Sequence, residues 1–519
     1  MSSEINVAGT RKAATHEYIV VGAGSAGAVI ARRLVDAGHR VLLLEAGPAD
    51  SNPAIHDPTR SVELWGSEVD WAFSTEPQTY ADGRSLPWPR GKTLGGSSAF
   101  NGMIYVRGLA ADYDAWAYQG AAGWDWRGVE PYFRRLERFD GGAAGGRGTD
   151  GPQFVQRNPG PDPLVKAWVA AAQEYGLPFN DDYNAGDSTG VSYTQHTIRD
   201  RRRQSTWVGY GLAVRDDPKL TVVTGAHTTR VLFDGTRAIG VEYLREGLSN
   251  TAYADAEIIL SAGVFGSPQL LMLSGVGPAG QLRALGLRVR ADLPGVGQNL
   301  QDHWSSPLIW RSKRPTPAWA AQGLEAHLFA STRPGLIAPD IQPLFLSWVY
   351  PLPGAVLPEQ GFSAVAQLLH PFSRGELRLR DTDPTAAPIL DPRVFADPRD
   401  LETLVDNLEL LREIAAQDAL GDWTDGEAIP GPAVRTREQL RDHVRATVVS
   451  GHHQVGTARM GLDAGSVVDP ELRVHGVSGL RVADASIMPT LPSGNTNGPT
   501  IMIGEKAADL ILGRSAVCA

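Results

Sequence analysis

Cysteine is nearly missing from this chain: its 519 residues contain one, Cys518, so no disulfide can close within it and no cysteine cluster can hold a metal. Long apolar runs are missing too. No stretch of eighteen apolar residues occurs, and the first sixteen residues are polar and mixed in charge, without the apolar core of a secretory signal. The expected location is therefore the cytoplasm, with no integral membrane segment. An excess of basic charge is also absent. Against 48 basic side chains stand 58 acidic ones, for a formal net charge of -10, which gives no electrostatic reason to bind nucleic acid or an anionic membrane. The one basic run, Arg199 to Arg203, is broken by Asp200, lacks interleaved aromatics and reads as an ion-paired turn. Paired carboxylates, a Ser-His-Asp order and metal-ligand spacing do not occur either, so no metal is expected.

Glycine-bearing segments carry the positive information. The apolar run Tyr18-Ile19-Val20-Val21 leads into Gly22-Ala23-Gly24-Ser25-Ala26-Gly27, then a helix-like stretch through Leu34, then Val41-Leu42-Leu43-Leu44 ending at Glu45. That order is strand, phosphate turn, helix, strand and ribose acid. Gly22 allows the tight turn, Gly24 lets backbone N–H groups approach a pyrophosphate, and Gly27 lets the helix pack close to the strand. Glu45 accepts hydrogen bonds from a ribose and disfavours a 2′-phosphate. The pattern predicts dinucleotide binding, and not of NADP.

At this length two domains are expected. From Gly47 to Trp126 the chain is rich in Gly, Pro and Trp and predicts a long ordered loop region. Gly141 to Gly151 predicts an exposed loop, and Pro163 to Tyr175 a helix. Strands are predicted at Leu220 to Val223, Ala238 to Tyr243 and Glu257 to Ala262. Between His303 and Val448 alternating stretches such as Glu376 to Arg380 read as half-buried antiparallel strands. Asp397-Pro398 opens an amphipathic helix, and the block around it is the candidate substrate domain. Gly479 to Asp484 reads as a strand ending in an acid, and Thr500 to Leu512 as a helix.

Six segments in order resemble the glucose-methanol-choline (GMC) oxidoreductases. They are the Gly22 turn with Glu45, then Arg90 to Gly108, Gly266 to Pro278, Pro294 to His303, His453 to Gly461, and Val482 to Thr500. The resemblance implies an α/β fold with a discontinuous Rossmann-like FAD-binding domain (15–160, 200–305 and 450–519). An α+β substrate-binding domain with an antiparallel sheet (161–199 and 306–449) would cover it. It also implies site residues. Gly22, Gly24, Ser25, Ala26, Gly27, Glu45 and Ala46 would hold the dinucleotide. Arg90, Gly95, Gly96, Ser97, Asn101, Gly102, Met103 and Ile104 would lie along the flavin and its phosphates. Val231 would offer its backbone to adenine, with Ala262, Asp484, Ala485, Asn497, Pro499 and Thr500 at the remaining cofactor contacts.

Alcohol oxidation needs a hydride acceptor, which flavin supplies, and a base for the hydroxyl proton. The family spacing, a His three residues before Gly-Thr, selects His453 of the pair His452-His453. Asn497 takes the family's second catalytic position, where an Asn cannot be a base but can hold the substrate oxygen. Tyr105, Trp310, His452, His453 and Asn497 are the expected substrate contacts, with Leu344 to Tyr350 close by; for His452 a packed structural role is the alternative. Phe100 stands where relatives with covalent FAD carry a His, so non-covalent FAD is expected. The stretch after His303 lacks the glutamate of choline-selective relatives and carries Arg311. The expected reaction is oxidation of a primary, non-quaternary-ammonium alcohol, aromatic or allylic, with oxygen or another compound as electron acceptor. The alternatives are a flavin-containing lyase of the hydroxynitrile lyase type and a non-enzymatic flavoprotein.

Overall fold

The run Tyr18-Ile19-Val20-Val21 is apolar at every position because the strand His16–Val21 is flanked by parallel strands on both edges and covered on both faces. Each such aliphatic side chain, removed fully from water, contributes about 1.5–3 kcal/mol. The computed structural model describes residues 16–514 apart from 158–159 and 319–321; Cys518 and the first fifteen residues lie outside that range. The parallel order is Leu220–Val223, Val41–Leu44, His16–Val21, Leu248–Leu260 and Leu480–Val482. Leu248–Leu260 is long enough to serve two pairings. Its last residues join the parallel sheet, and its first residues form an antiparallel meander with Arg237–Arg245 and His227–Asp234. On one face the helix Gly27–Asp36 packs against the helix Asn497–Ile511, which is buried on almost every side.

A second sheet is antiparallel throughout. Its strands run Thr424–Ile429, Trp304–Ser312, Gly361–Gln367, Leu344–Leu346, Ala326–Phe329 and Gly190–Tyr193, with Val449–Ser450 set against Trp304. Gly361–Gln367 is buried at all seven positions, because the helix Pro398–Ala415 lies over it and the other strands flank it. That helix starts as its sequence dictates: the Asp397 side chain accepts from Arg399 N and Pro398 occupies the first turn.

Several expectations needed revision. The region from Gly47 to Trp126 is broken up by short helices and two-residue strands, and its tryptophans Trp88, Trp116 and Trp124 are fully buried. The Glu376 strand forms as Gly375–Arg378, but in a separate three-stranded sheet with Gln298–Leu300 and Ile389–Asp391. Within the Gly141 to Gly151 loop, Arg147 is buried and paired with Glu137 at 2.9 Å. In the basic run, Arg199 meets Asp200 at 3.6 Å, whereas Arg203 is buried and donates to neutral oxygens instead. The last helix begins at Asn497, three residues before the expected Thr500. Pro499 is harmless there, because a residue of the first helical turn has no intrahelical N–H bond to lose.

Candidate active site

Two helix N-termini meet at one cavity. Neither Gly27–Asp36 nor Asn497–Ile511 has a side-chain cap or an acidic residue in its first turn, so both present backbone N–H groups and the positive end of a helix dipole. The Ser25 hydroxyl ties them together by donating to Asn497 Oδ1 at 2.8 Å. The cavity they border has a volume of about 900 Å³ and is elongated, reaching from Glu45 and Ala226 to His453 and Asn495.

Close backbone approach shapes its walls. A Cβ on Gly27 would stand 1.9 Å from Gly22 O, and one on Gly96 would stand 2.7 Å from Gly24 Cα. Gly96 also has φ +51. The two glycine loops therefore touch through their backbones, as a cradle for an extended anionic ligand requires. Glu45 accepts from Ala23 N and Gly47 N, each at 2.9 Å, and burial pushes its carboxyl up to about 7. Asp484 uses both oxygens on Gly263 N, Ser267 and Ser486 N. The Asn101 side chain accepts from Met103 N and Arg203, so the buried arginine of the basic run fixes the loop Ser97 to Ile104.

At the far end lies His453. Its Nε2 is 3.0 Å from Asn495 Nδ2 and its Nδ1 is 3.0 Å from His303 Nδ1. An amide nitrogen only donates. His453 Nε2 therefore accepts, the proton of the neutral ring is on Nδ1, and that N–H donates to His303. Burial, then the neighbouring His452 and Arg90, lower the His453 pKa to about 3. Asp302 holds the turn in place: it accepts from His453 N at 2.8 Å, from Gln454 Nε2 at 2.8 Å and from the Ser450 hydroxyl. The His452 carbonyl accepts from Arg90 Nη2 at 2.5 Å, and this bond helps hold His452 in the left-handed region at φ +62.

Of the residues expected from sequence, Gly22, Gly24, Ser25, Ala26, Glu45, Ala46, Arg90, Gly96, Ser97, Asn101, Gly102, Met103, Ile104, Ala262, Asp484, Ala485, Asn497, Thr500, His452 and His453 line this cavity. Gly27, Gly95 and Pro499 stand behind it as packing. Four assignments need correction. Asn497 is turned toward Ser25, and the amide beside His453 is Asn495. Val231 donates its N–H to Ser274 at 2.8 Å, while Ala226, His227 and Thr228 reach the cavity three to five residues earlier. Tyr105 is buried in the core, not in the cavity wall, and Trp310 packs on Trp168 and Phe362. Arg311 is exposed, donates to Glu427 O at 3.4 Å and is not among the residues that line the cavity. Asp302, His303 and Asn495 were within reach of sequence reasoning, because all three lie in the quoted motifs. Gln342 and Gln367 were not, because a lone glutamine outside any motif carries no signal.

Among the described residues no group of three or more His, Cys, Asp or Glu could hold a metal, and no helix is long and apolar enough to cross a membrane.

The family model for GMC oxidoreductases matches residues 16–305 and 371–504. The chain is 41% identical to the mitochondrial choline dehydrogenase of Mus musculus, covering 97% of this chain and 90% of that one. It is 39% identical to an alcohol dehydrogenase (acceptor) of Pseudomonas putida, covering 96% of each. Among solved structures, pyridoxine 4-oxidase from Mesorbium loti superposes with a TM-score of 0.91 at 33% identity, over 95% of this chain and 98% of that one. A fungal aryl-alcohol oxidase does so with a TM-score of 0.82 at 26% identity, over 96% and 99%. The uncapped helix ends, the abutting glycine loops and the buried Glu45 fit FAD, which Gly22 to Ala26, Glu45, Ser97 to Ile104 and Asp484 would hold. The chain belongs to the GMC oxidoreductase family, as an FAD-dependent enzyme acting on alcohols.

Proposed function

We propose that the enzyme oxidises a primary alcohol without a quaternary ammonium group, aromatic or allylic in character, to the aldehyde, with His453 as the base. Bound FAD supplies the hydride acceptor. His453 Nε2, unprotonated in this tautomer, takes the hydroxyl proton, and Asn495 Nδ2–H donates to the substrate oxygen as negative charge develops there. Magnitudes constrain the timing. A hydroxyl near water's 15.7 and a ring at about 3 differ by roughly thirteen units, on the order of 17 kcal/mol. Prior, complete deprotonation is therefore too costly, and proton loss accompanies departure of the hydride. Arg90 reduces the gap from the other side, since the positive charge that disfavours the imidazolium also favours an alkoxide nearby.

The observation that carries the substrate reading is the wall near His453. It is made by Trp65, Leu344, Leu346, Trp348, Tyr350 and Val365, and the cavity's two carboxylates, Glu45 and Asp484, belong to its cofactor end. Aromatic faces alone attract a cation modestly, and no carboxylate stands among them to pair with a quaternary ammonium. The aryl-alcohol relative supports this reading and the choline dehydrogenases oppose it. FAD is held without a covalent bond, Phe100 being the side chain at the position of attachment. Sheet membership supports 15–160, 200–305 and 450–519 as the cofactor domain and 161–199 with 306–449 as the substrate domain. Anaerobic addition of an alcohol panel, read by flavin bleaching, tests the proposal. Benzylic alcohols should reduce the flavin with higher efficiency than choline, and the reverse order contradicts it.

A further inference from the structure

The amide beside the base has a direction, and the structure shows what sets it. Asn495 turns Nδ2 toward His453 and Oδ1 toward Gln342, whose Nε2 donates to that oxygen at 3.3 Å. Gln342 has no freedom to turn over. Its Oε1 accepts from Gln367 Nε2 at 3.0 Å, and its Nε2 also faces His327 Nδ1 at 3.1 Å. Gln367 in turn has Oε1 facing the Ser305 hydroxyl at 3.4 Å, across paired strands. Both glutamines are essentially inaccessible to water. A buried amide that turned over would place oxygen against oxygen and nitrogen against nitrogen, leaving polar groups unsatisfied.

Reversal at Asn495 would change the chemistry as well as the fit. With Oδ1 against His453, the contact is satisfied only when Nε2 carries the proton. The lone pair that accepts the hydroxyl proton is then gone, and the donor for the substrate oxygen is replaced by an acceptor.

We propose that Gln342, oriented by Gln367, is a positioning residue that fixes the amide direction of Asn495 and through it the tautomer of His453. This rests on the reading of His453 as the base. The antiparallel sheet then contributes more than a cover for the substrate, because its interior polar row sets which nitrogen of a histidine in the other domain is available.

Two variants of the FAD-loaded enzyme test it. Gln342→Met removes the donor at similar length, and anaerobic flavin reduction at saturating alcohol should slow about tenfold to a hundredfold, with the half-saturating alcohol concentration little changed. In an Asn495→Ala background the same substitution should have no further effect, whereas a general packing defect would slow both backgrounds alike. Gln342→Glu adds a readout that packing cannot imitate. Its protonated carboxyl can still donate to Asn495 and its carboxylate cannot. The rate should approach the unmutated value at low pH and fall toward that of Gln342→Met as pH rises; His327, the titratable side chain in contact, has its pKa lowered to about 3 and stays neutral throughout. A pH-independent Gln342→Glu variant overturns the proposal, and so does equal loss in both backgrounds or a Gln342→Met rate within about twofold of normal. Should Gln342→Met fail to fold, the pH profile of Gln342→Glu decides alone. A near-normal rate in His453→Ala would instead remove the base assignment itself, and the proposal with it.

Discussion

Asn495 and Asn497 are two residues apart and do different work. Asn497 opens a helix and reaches Ser25 in the phosphate turn, whereas Asn495 precedes the helix and reaches His453. Asn495→Ala should therefore slow anaerobic flavin reduction by about two to three orders of magnitude, the usual loss on removing a donor to a developing oxyanion. Asn497→Ala should chiefly weaken retention of FAD, measured by flavin released on gel filtration. The opposite pattern would restore Asn497 to the catalytic position. The motif places two asparagines two residues apart, and only the fold shows that Asn495, not Asn497, reaches the histidine. That His453 lines the cavity was legible from its motif. Its protonation was not, since burial and the flanking His452 and Arg90 are tertiary facts. With its pKa lowered to about 3, the ring is in its basic form at every pH above about 4–5. The sign is then fixed: activity due to His453 is lost only as pH falls toward 3. Flavin reduction should be flat between about pH 6 and 9, and a rise through a single ionisation near 6.5 would show that burial does not depress the ring.

Among the elements, the first strand, turn and helix were readable nearly residue by residue, because each glycine there answers a local steric demand. Gly27→Ala would force a Cβ to 1.9 Å from Gly22 O and so push the helix away from the turn. Soluble protein with little bound FAD is the expected outcome, read from the ratio of flavin to protein absorbance; a full complement of FAD would mean that the helix can shift without cost. The flavin loop is readable in the same way at Phe100, a buried cavity-lining side chain. Acid or heat denaturation should release yellow FAD into the supernatant, and colour remaining with the precipitate would show a covalent bond elsewhere. Less legible was the adenine end. Val231 lies on an edge strand whose turn, Gly225 to His227, could not be located from pattern alone, and the residues of that strand end which line the cavity are Ala226, His227 and Thr228. Trp310 failed for a related reason. A strand alternates faces, and nothing in the sequence of Trp304–Ser312 says which face meets the cavity.

For the whole molecule, the site exists because two sheets with unrelated topologies meet. The parallel sheet brings the phosphate turn, Glu45 and Asp484; the antiparallel sheet brings Leu344, Leu346 and Val365 of the wall and the glutamine row. His453 and Asn495 lie on the chain's return between them. Among the six motifs, the Gly22 turn with Glu45, Arg90 to Gly108 and Val482 to Thr500 supply cavity-lining residues, and those were legible in sequence. The substrate wall is less legible, since it combines the strand residues Leu344, Leu346 and Val365 with Trp65, Trp348 and Tyr350 from the segments between elements. Efficiency with benzylic alcohols over choline is the expected whole-molecule outcome of a wall without a carboxylate. The central claim, that this assembly moves a hydroxyl proton to His453 while bound flavin is reduced, has one direct test. FAD-loaded His453→Ala is mixed anaerobically with a substrate alcohol and flavin absorbance is followed. The rate should fall by about two to four orders of magnitude, as general-base loss usually costs, with FAD still bound; a rate close to that of the unmutated enzyme would contradict the account.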